Sequence, residues 1–96
     1  MEILGYKFEG AFDHNELFTT DFGCVYALID ANYQLVDVGQ TNSVNDRIPN
    51  HNRKNCWVRN DCPGKNLFIH RSEDEAYRLQ LEGAIRSKYS PACGVK

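Results

Sequence analysis

A chain of 96 residues makes one domain, long enough to bury roughly 60–65 % of its extended surface and fold alone, and too short for a second catalytic domain. No stretch approaches the ~20 apolar residues of a membrane span, and the N-terminal MEILGYKFEG has no apolar run preceded by basic residues. A soluble, cytoplasmic protein without a membrane partner is expected, and its net charge of −2 excludes a uniformly basic nucleic-acid binder.

Residues 1–22 open with the alternating stretch Ile3 to Phe8, which reads as an edge strand, followed by a Gly- and Asp-containing loop, GAFDHNE. Phe8, Phe12, Leu17 and Phe18 would anchor this extension on the domain; Tyr6 and His14 are assigned no role. From Gly23 to His51 the chain reads as a β-hairpin running into a polar turn and a short helix. Gly23 to Asp30 is apolar, and Leu35 to Val38 repeats that character after Asp30, Ala31 and Asn32. A two-residue loop, Ala31-Asn32, sets Tyr26 directly opposite Asp37, their Cβ atoms ~5 Å apart on one face. Gly39 beside them would leave the backbone open to a ligand. A phenol and a carboxylate meeting there suggest a site more than core packing.

Ser43 with Asp46 resembles an acidic capping box, so a helix starts there and places Arg47 and His51 one turn apart. Pro49 lacks the N–H that would bond back to Asn45, so it either kinks this helix or opens a second short turn. Charge is unevenly spread: Met1–Asp46 holds eight acids and one base, Arg47–Arg71 one acid and six bases, Ser72–Lys96 four of each. A basic block beside the candidate site is what contact with a phosphate backbone requires, while a solvated basic loop fits the charge equally well. Trp57 suits the core better than base stacking. Pro63-Gly64 marks a turn, and Asn66 to His70 reads as a third strand.

Ser72 with Glu75 forms the capping-box start of a last helix running to about Tyr89, before Pro91. Tyr77, Leu81, Ala84 and Ile85 make its apolar stripe, with Glu82 beside it and Arg78 and Arg86 at i±4, pairs worth a few tenths of a kcal/mol each. The four cysteines, at 24, 56, 62 and 93, include no C-x-x-C pair and read as reduced thiols, Cys24 in the core. A zinc site from His51, Cys56, Cys62 and His70 has suitable chemistry, but its intervals match no zinc pattern. The fold class is therefore α/β (α+β): an antiparallel three-stranded sheet from 23–30, 34–39 and 66–70, helices near 43–53 and 73–89. Residues 1–22 form an extension or edge strand on a domain spanning 23–96.

The ordered set Gly23-Cys24-Val25-Tyr26, Asp37-Val38-Gly39-Gln40-Thr41, Arg47, His51 and, downstream, Glu82 with Ile85, Tyr89 and Pro91 resembles the GIY-YIG nuclease family. The resemblance runs from Gly23 to Pro91 and departs at Asp37, where the second motif usually has tyrosine, and at Gly94, where asparagine often follows the proline. It implies a metal-dependent endonuclease that hydrolyses DNA phosphodiester bonds, with catalytic Tyr26, Arg47, His51 and Glu82. Glu82 would hold Mg²⁺ or Mn²⁺, Arg47 would contact the phosphate, Tyr26 would orient or deprotonate the water, and His51 would assist proton transfer. Asp37 is a further candidate. Uncompensated and ~6 Å from the scissile phosphate it would repel it by ~3 kcal/mol at an effective dielectric near 20, whereas as a metal ligand or proton acceptor it would help. Gly39, Thr41, Arg53, Lys54 and Arg59 are the candidate nucleic-acid contacts, and a second copy or a partner protein would supply substrate specificity. The alternative is a catalytically weak or inactive module of the same type that binds nucleic acid or a protein.

Overall fold

The structure, a computed structural model, describes residues 1–94; residues 95 and 96 of the expected domain lie outside them. In chain order the elements are β1 (Glu2–Ile3), β2 (Tyr6–Lys7), β3 (Glu9–Phe12), β4 (Cys24–Ile29), β5 (Leu35–Thr41), α1 (Val44–Arg47), α2 (Lys54–Arg59), β6 (Leu67–Arg71) and α3 (Glu75–Tyr89). The small α/β domain is present, with the three expected strands extended to four in the order β3-β6-β4-β5, all antiparallel. β4 lies inside the sheet and is buried at every residue, which is why its sequence, CVYALI, is apolar throughout rather than alternating.

The edge strand comes from a different place than expected. Leu4 and Gly5 turn at positive φ (53° and 83°), folding β1 back on β2 as a separate two-stranded sheet, so Ile3–Phe8 is not one strand. The main sheet is completed by Glu9–Phe12, inside the stretch expected to be a loop. The extension is thus part of the sheet. Phe8 is buried and Phe12 and Phe18 pack against the core, whereas Leu17 is 68 % exposed and anchors nothing.

The β4–β5 hairpin differs from the expected register in two compensating ways. Its loop has three residues, Ala31, Asn32 and Tyr33, because Asp30 pairs with Gln34 rather than with Tyr33, and the Asp30 carboxylate collects the amides of Asn32 and Gln34 at 2.9 Å each. Tyr33 takes the left-handed conformation that such a loop needs. A bulge then leaves Val36 unpaired between Leu28↔Asp37 and Ile29↔Leu35. Each change slips the register by one, so Tyr26 opposes Gly39 instead of Asp37. Because side chains alternate with period two, the combined slip leaves Tyr26 and Asp37 on the same face, diagonal rather than opposite.

The helix expected over 43–53 is helical only at α1, Val44–Arg47. The chain leaves it before Pro49, so His51 stands in the following turn and not one helical turn after Arg47, and α2 begins at Lys54, beyond the expected range. Ser43 precedes α1 but makes no side-chain cap; Asp21 does so from a distant loop, accepting the Asn45 amide at 2.9 Å and the Ser43 hydroxyl. The α3 cap is Asp74, which accepts the Tyr77 amide, not the Ser72–Glu75 box. Leu81 and Ile85 pack on Val25, Ala27, Ile29 and Val38, while Ala84 is exposed. Arg78 is buried instead, bonding Gln40 Oε1 at 2.9 Å and the Ser72 carbonyl at 3.0 Å. On the opposite face of the sheet Val44 of α1, Ile48 and Trp57 of α2 pack with Cys24, Tyr26 and Leu28. Among the described residues no helix is long and apolar enough to cross a membrane.

Two of the four cysteines correct the expectation of free thiols. Cys56 of α2 and Cys93 beyond α3 form a disulfide across 37 residues, a pairing that only the return of the tail onto α2 creates. Cys24 and Cys62 are free and buried, and burial pushes both thiols up to about 12. With Cys56 bonded to Cys93 and His70 bonded to the Lys7 carbonyl and the Tyr77 hydroxyl, the zinc set His51, Cys56, Cys62 and His70 does not assemble.

Candidate active site

Tyr26 stands in the middle of β4, 1 % exposed, with its ring across Gly39 of β5. A Cβ at Gly39 would lie 2.9 Å from Tyr26 Cε1 and closer still to Cζ and Oη. The absent side chain therefore makes room for the phenol, not for a ligand, which corrects the reading of Gly39 as open backbone. Gly39→Ala is expected to push the phenol off its partner and to cost about 1–3 kcal/mol, the usual range for overpacking. Equilibrium unfolding measures this, and a variant of wild-type stability would mean that the strand pair spreads freely.

That partner is His51, whose Nε2 lies 2.7 Å from Tyr26 Oη. Its other nitrogen, Nδ1, accepts the main-chain N–H of Arg53 at 3.0 Å. An accepting nitrogen carries no proton, so the neutral ring holds its hydrogen on Nε2 and donates it to Oη. Burial, then the charges of Arg47 and Arg53, lower the His51 pKa to about 3 and keep the ring neutral at physiological pH. Burial likewise raises the Tyr26 pKa to about 12, against the pull of the same two arginines. The phenol is thus protonated, and its own O–H is not spent on His51.

Arg47 is half-buried and has Asn52 Oδ1 at 3.2 Å as its acceptor, while its charge bears on both Tyr26 and His51. Three of the four catalytic candidates, Tyr26, Arg47 and His51, are therefore together. Glu82 approaches from α3 on the other side of the sheet. Its Oε2 accepts Arg86 Nε at 3.4 Å, no described donor occupies its Oε1, and its charge reaches Arg53. It joins the cluster indirectly, through Arg86 around the free edge of β5.

Asp37 is 0 % exposed, and both of its oxygens are occupied. Oδ2 accepts Arg53 Nε at 2.8 Å and Trp57 Nε1 at 2.7 Å; Oδ1 accepts the Val38 amide at 2.8 Å and Arg86 Nη2 at 3.3 Å. Arg86 Nη2 also reaches the Val38 carbonyl, and its Nη1 donates to the Gly94 carbonyl at 2.8 Å. Two guanidiniums compensate this carboxylate, so the repulsion expected of a bare charge does not arise, and no lone pair is left pointing outward for a metal ion. Burying it is tolerable only because it is paired and hydrogen-bonded this fully.

Of the candidate nucleic-acid contacts, Arg59 alone is both exposed and free of a described hydrogen bond from its side chain. Gly39 is covered by Tyr26, Thr41 is buried and bonds Ser43, Arg53 is held by Asp37, and Lys54 Nζ is held by the His14 carbonyl and Asn15 Oδ1 at 2.9 Å each. Three contributors were not legible as site residues: Trp57 through its indole N–H, Arg86, and Asn52. The i, i+4 spacing from Glu82 to Arg86 was visible, but not that Arg86 would round the sheet edge to Asp37. No family model, curated protein or solved structure matches the chain.

Proposed function

We propose that this chain is a metal-dependent endonuclease-like domain that hydrolyses DNA phosphodiester bonds, of the GIY-YIG type that its sequence resembles. The observation that supports it is the Tyr26–His51 hydrogen bond under the charge of Arg47. Phosphodiester hydrolysis needs an oriented water, charge neutralisation on the phosphoryl group and stabilisation of the leaving oxygen. Arg47, whose side chain donates to Asn52 and bears on Tyr26 among the described residues, is suited to grip the phosphate with its further donors. The Tyr26 O–H, not spent on His51, would give its proton to a phosphoryl or leaving oxygen, with the His51 Nε2–H supporting the phenolate that results. That phenolate would then take the proton released by the attacking water, a general acid–base role typically worth ~10²- to 10⁴-fold.

Glu82 fits a hard divalent ion in a limited way. It offers one carboxylate with an oxygen free of described donors, and Mg²⁺ or Mn²⁺ is commonly held by one or two carboxylates completed by waters and substrate phosphate. When bound, such an ion supplies Lewis-acid polarisation of the phosphate. A second reading, a catalytically weak module that binds nucleic acid or a protein, is favoured by the near-complete burial of Tyr26 and the raised pKa of its phenol.

Nicking of supercoiled and branched DNA in Mg²⁺ or Mn²⁺ tests the two. Cleavage lost in chelator and reduced at least a hundredfold in Glu82→Ala is the expected result. Folded protein that binds these DNAs without cutting any of them would establish the second reading instead.

A further inference from the structure

We propose that Asp37 is a positioning residue that locks His51 in the tautomer donating to Tyr26, acting through the orientation of α2 and the main-chain N–H of Arg53. The part of this that concerns reaction rate rests on the nuclease reading; the tautomer itself does not.

A single carboxylate oxygen, Asp37 Oδ2, accepts from Arg53 at 2.8 Å and from Trp57 at 2.7 Å. These residues stand four apart, one helical turn, on the same side of the helix start. Holding two side chains one turn apart from a fixed point in the sheet fixes the rotation of a helix about its own axis. α2 needs such a constraint: it has six residues, too few to be stable by its own propensity. Arg53 is its N-cap, so the rotation of α2 sets the direction of the Arg53 N–H.

That N–H faces His51 Nδ1 at 3.0 Å. In the other tautomer Nδ1 would bear a hydrogen, and two donors would confront each other across the same gap. The tautomer is thereby chosen by the main chain, leaving Nε2–H to meet Oη at 2.7 Å. The consequence falls on the phenol. If Nε2 accepted instead, it would hold the Tyr26 proton; because Nε2 donates, that proton is directed away from His51. Asp37, at the strand position where the resemblance has tyrosine, is thus an anchor for α2 and not a reacting group.

Side-chain ¹⁵N–¹H correlation spectra of the histidines, with His51 identified by comparison with His51→Gln, read the tautomer directly. Wild type is expected to show His51 neutral and protonated on Nε2 at neutral pH. Asp37→Asn has a similar size but, with its one oxygen kept by the adjacent Val38 amide and by Arg86, presents an NH₂ to the Arg53 and Trp57 donors in place of Oδ2, and should yield a mixture of tautomers, with the preference lowered at least tenfold. Trp57→Phe keeps the carboxylate and removes one of the two helix attachments; it should shift the mixture in the same direction, and it covers the case in which Asp37→Asn does not fold. If nicking is present in wild type, it should fall about a hundredfold in the variant with mixed tautomers. An unchanged Nε2–H signal in the folded variants would overturn the proposal, as would mixed tautomers with undiminished nicking. Absence of nicking by wild type would remove the nuclease reading and leave the tautomer comparison to decide the positioning.

Discussion

Reduction of the Cys56–Cys93 disulfide is expected to lower the stability of this domain by about 3.8 kcal/mol, from the chain entropy released when a loop of this length is opened. The link spans 37 residues. It joins α2 to the tail whose Cys93 amide bonds the Val36 carbonyl at 2.8 Å and whose Cys93 and Gly94 carbonyls receive Arg86. Opening it frees the tail and unties a six-residue helix on which the His51–Arg53 geometry depends. For a domain of this size each kcal/mol moves the melting temperature by ~4–8 °C, so a drop of roughly 15 °C or more is anticipated. Thermal unfolding with and without a dithiol reductant measures it, and Cys56→Ala/Cys93→Ala should melt like the reduced protein and ignore the reductant. A difference under ~3 °C between reduced and oxidised wild type would show that the native contacts hold the tail unaided.

Acid should destabilise the protein well before its carboxylates titrate. His51 has a pKa of about 3 in the fold against 6.5 for the free side chain, lowered first by burial and then by Arg47 and Arg53. Between those values the unfolded chain binds a proton that the folded one refuses, so stability rises with pH. The contribution is fully present above pH 6.5 and is lost as the pH falls toward 3, at up to about 1.4 kcal/mol per unit. From pH 6.5 to 5 the loss should approach ~2 kcal/mol, a large part of the margin of a small domain. Asp13 and Asp21, whose carboxyls are held below their usual range by hydrogen bonds from Asn15 and Asn45, add their share only at lower pH. Urea unfolding at successive pH values for wild type and His51→Gln separates the contributions. The variant should lose the slope above pH 5; a slope that persisted in it would assign the effect to another group.

Much of the architecture was local enough to read along the chain. That β4 is covered on both faces was for the fold to show, but the apolar run Cys24–Ile29 ahead of a turn read as a hairpin strand, the run Asp30 to Asn32 as the turn, and Pro49 as an interruption of the helix. These are consequences of side-chain period, backbone φ and missing donors, all set by neighbours in sequence. The partnership of Tyr26 with one face of the hairpin was legible for the same reason. It survived an incorrect register because alternation depends on parity, and two one-residue slips restore parity.

What the chain order could not disclose was how distant groups share a buried charge. Asp37 reads as an awkward carboxylate in a strand until Arg53 and Trp57 arrive from α2 and Arg86 rounds the edge of β5, bringing together residues up to 49 positions apart. Likewise Asp21, not the Ser43 side chain, caps α1, and Cys93 finds Cys56 because the tail returns over α2. Secondary structure that follows from interactions within a few residues was set by the sequence, as in the three strands β4, β5 and β6, the turn and the end of α1, whereas the edge strand Glu9–Phe12 and α2 form only against the rest of the fold. The proton on His51, the neutralisation of Asp37 and the closing of the tail depend on desolvation and long-range hydrogen bonding, which exist only once the chain has folded, and tertiary structure alone decided them.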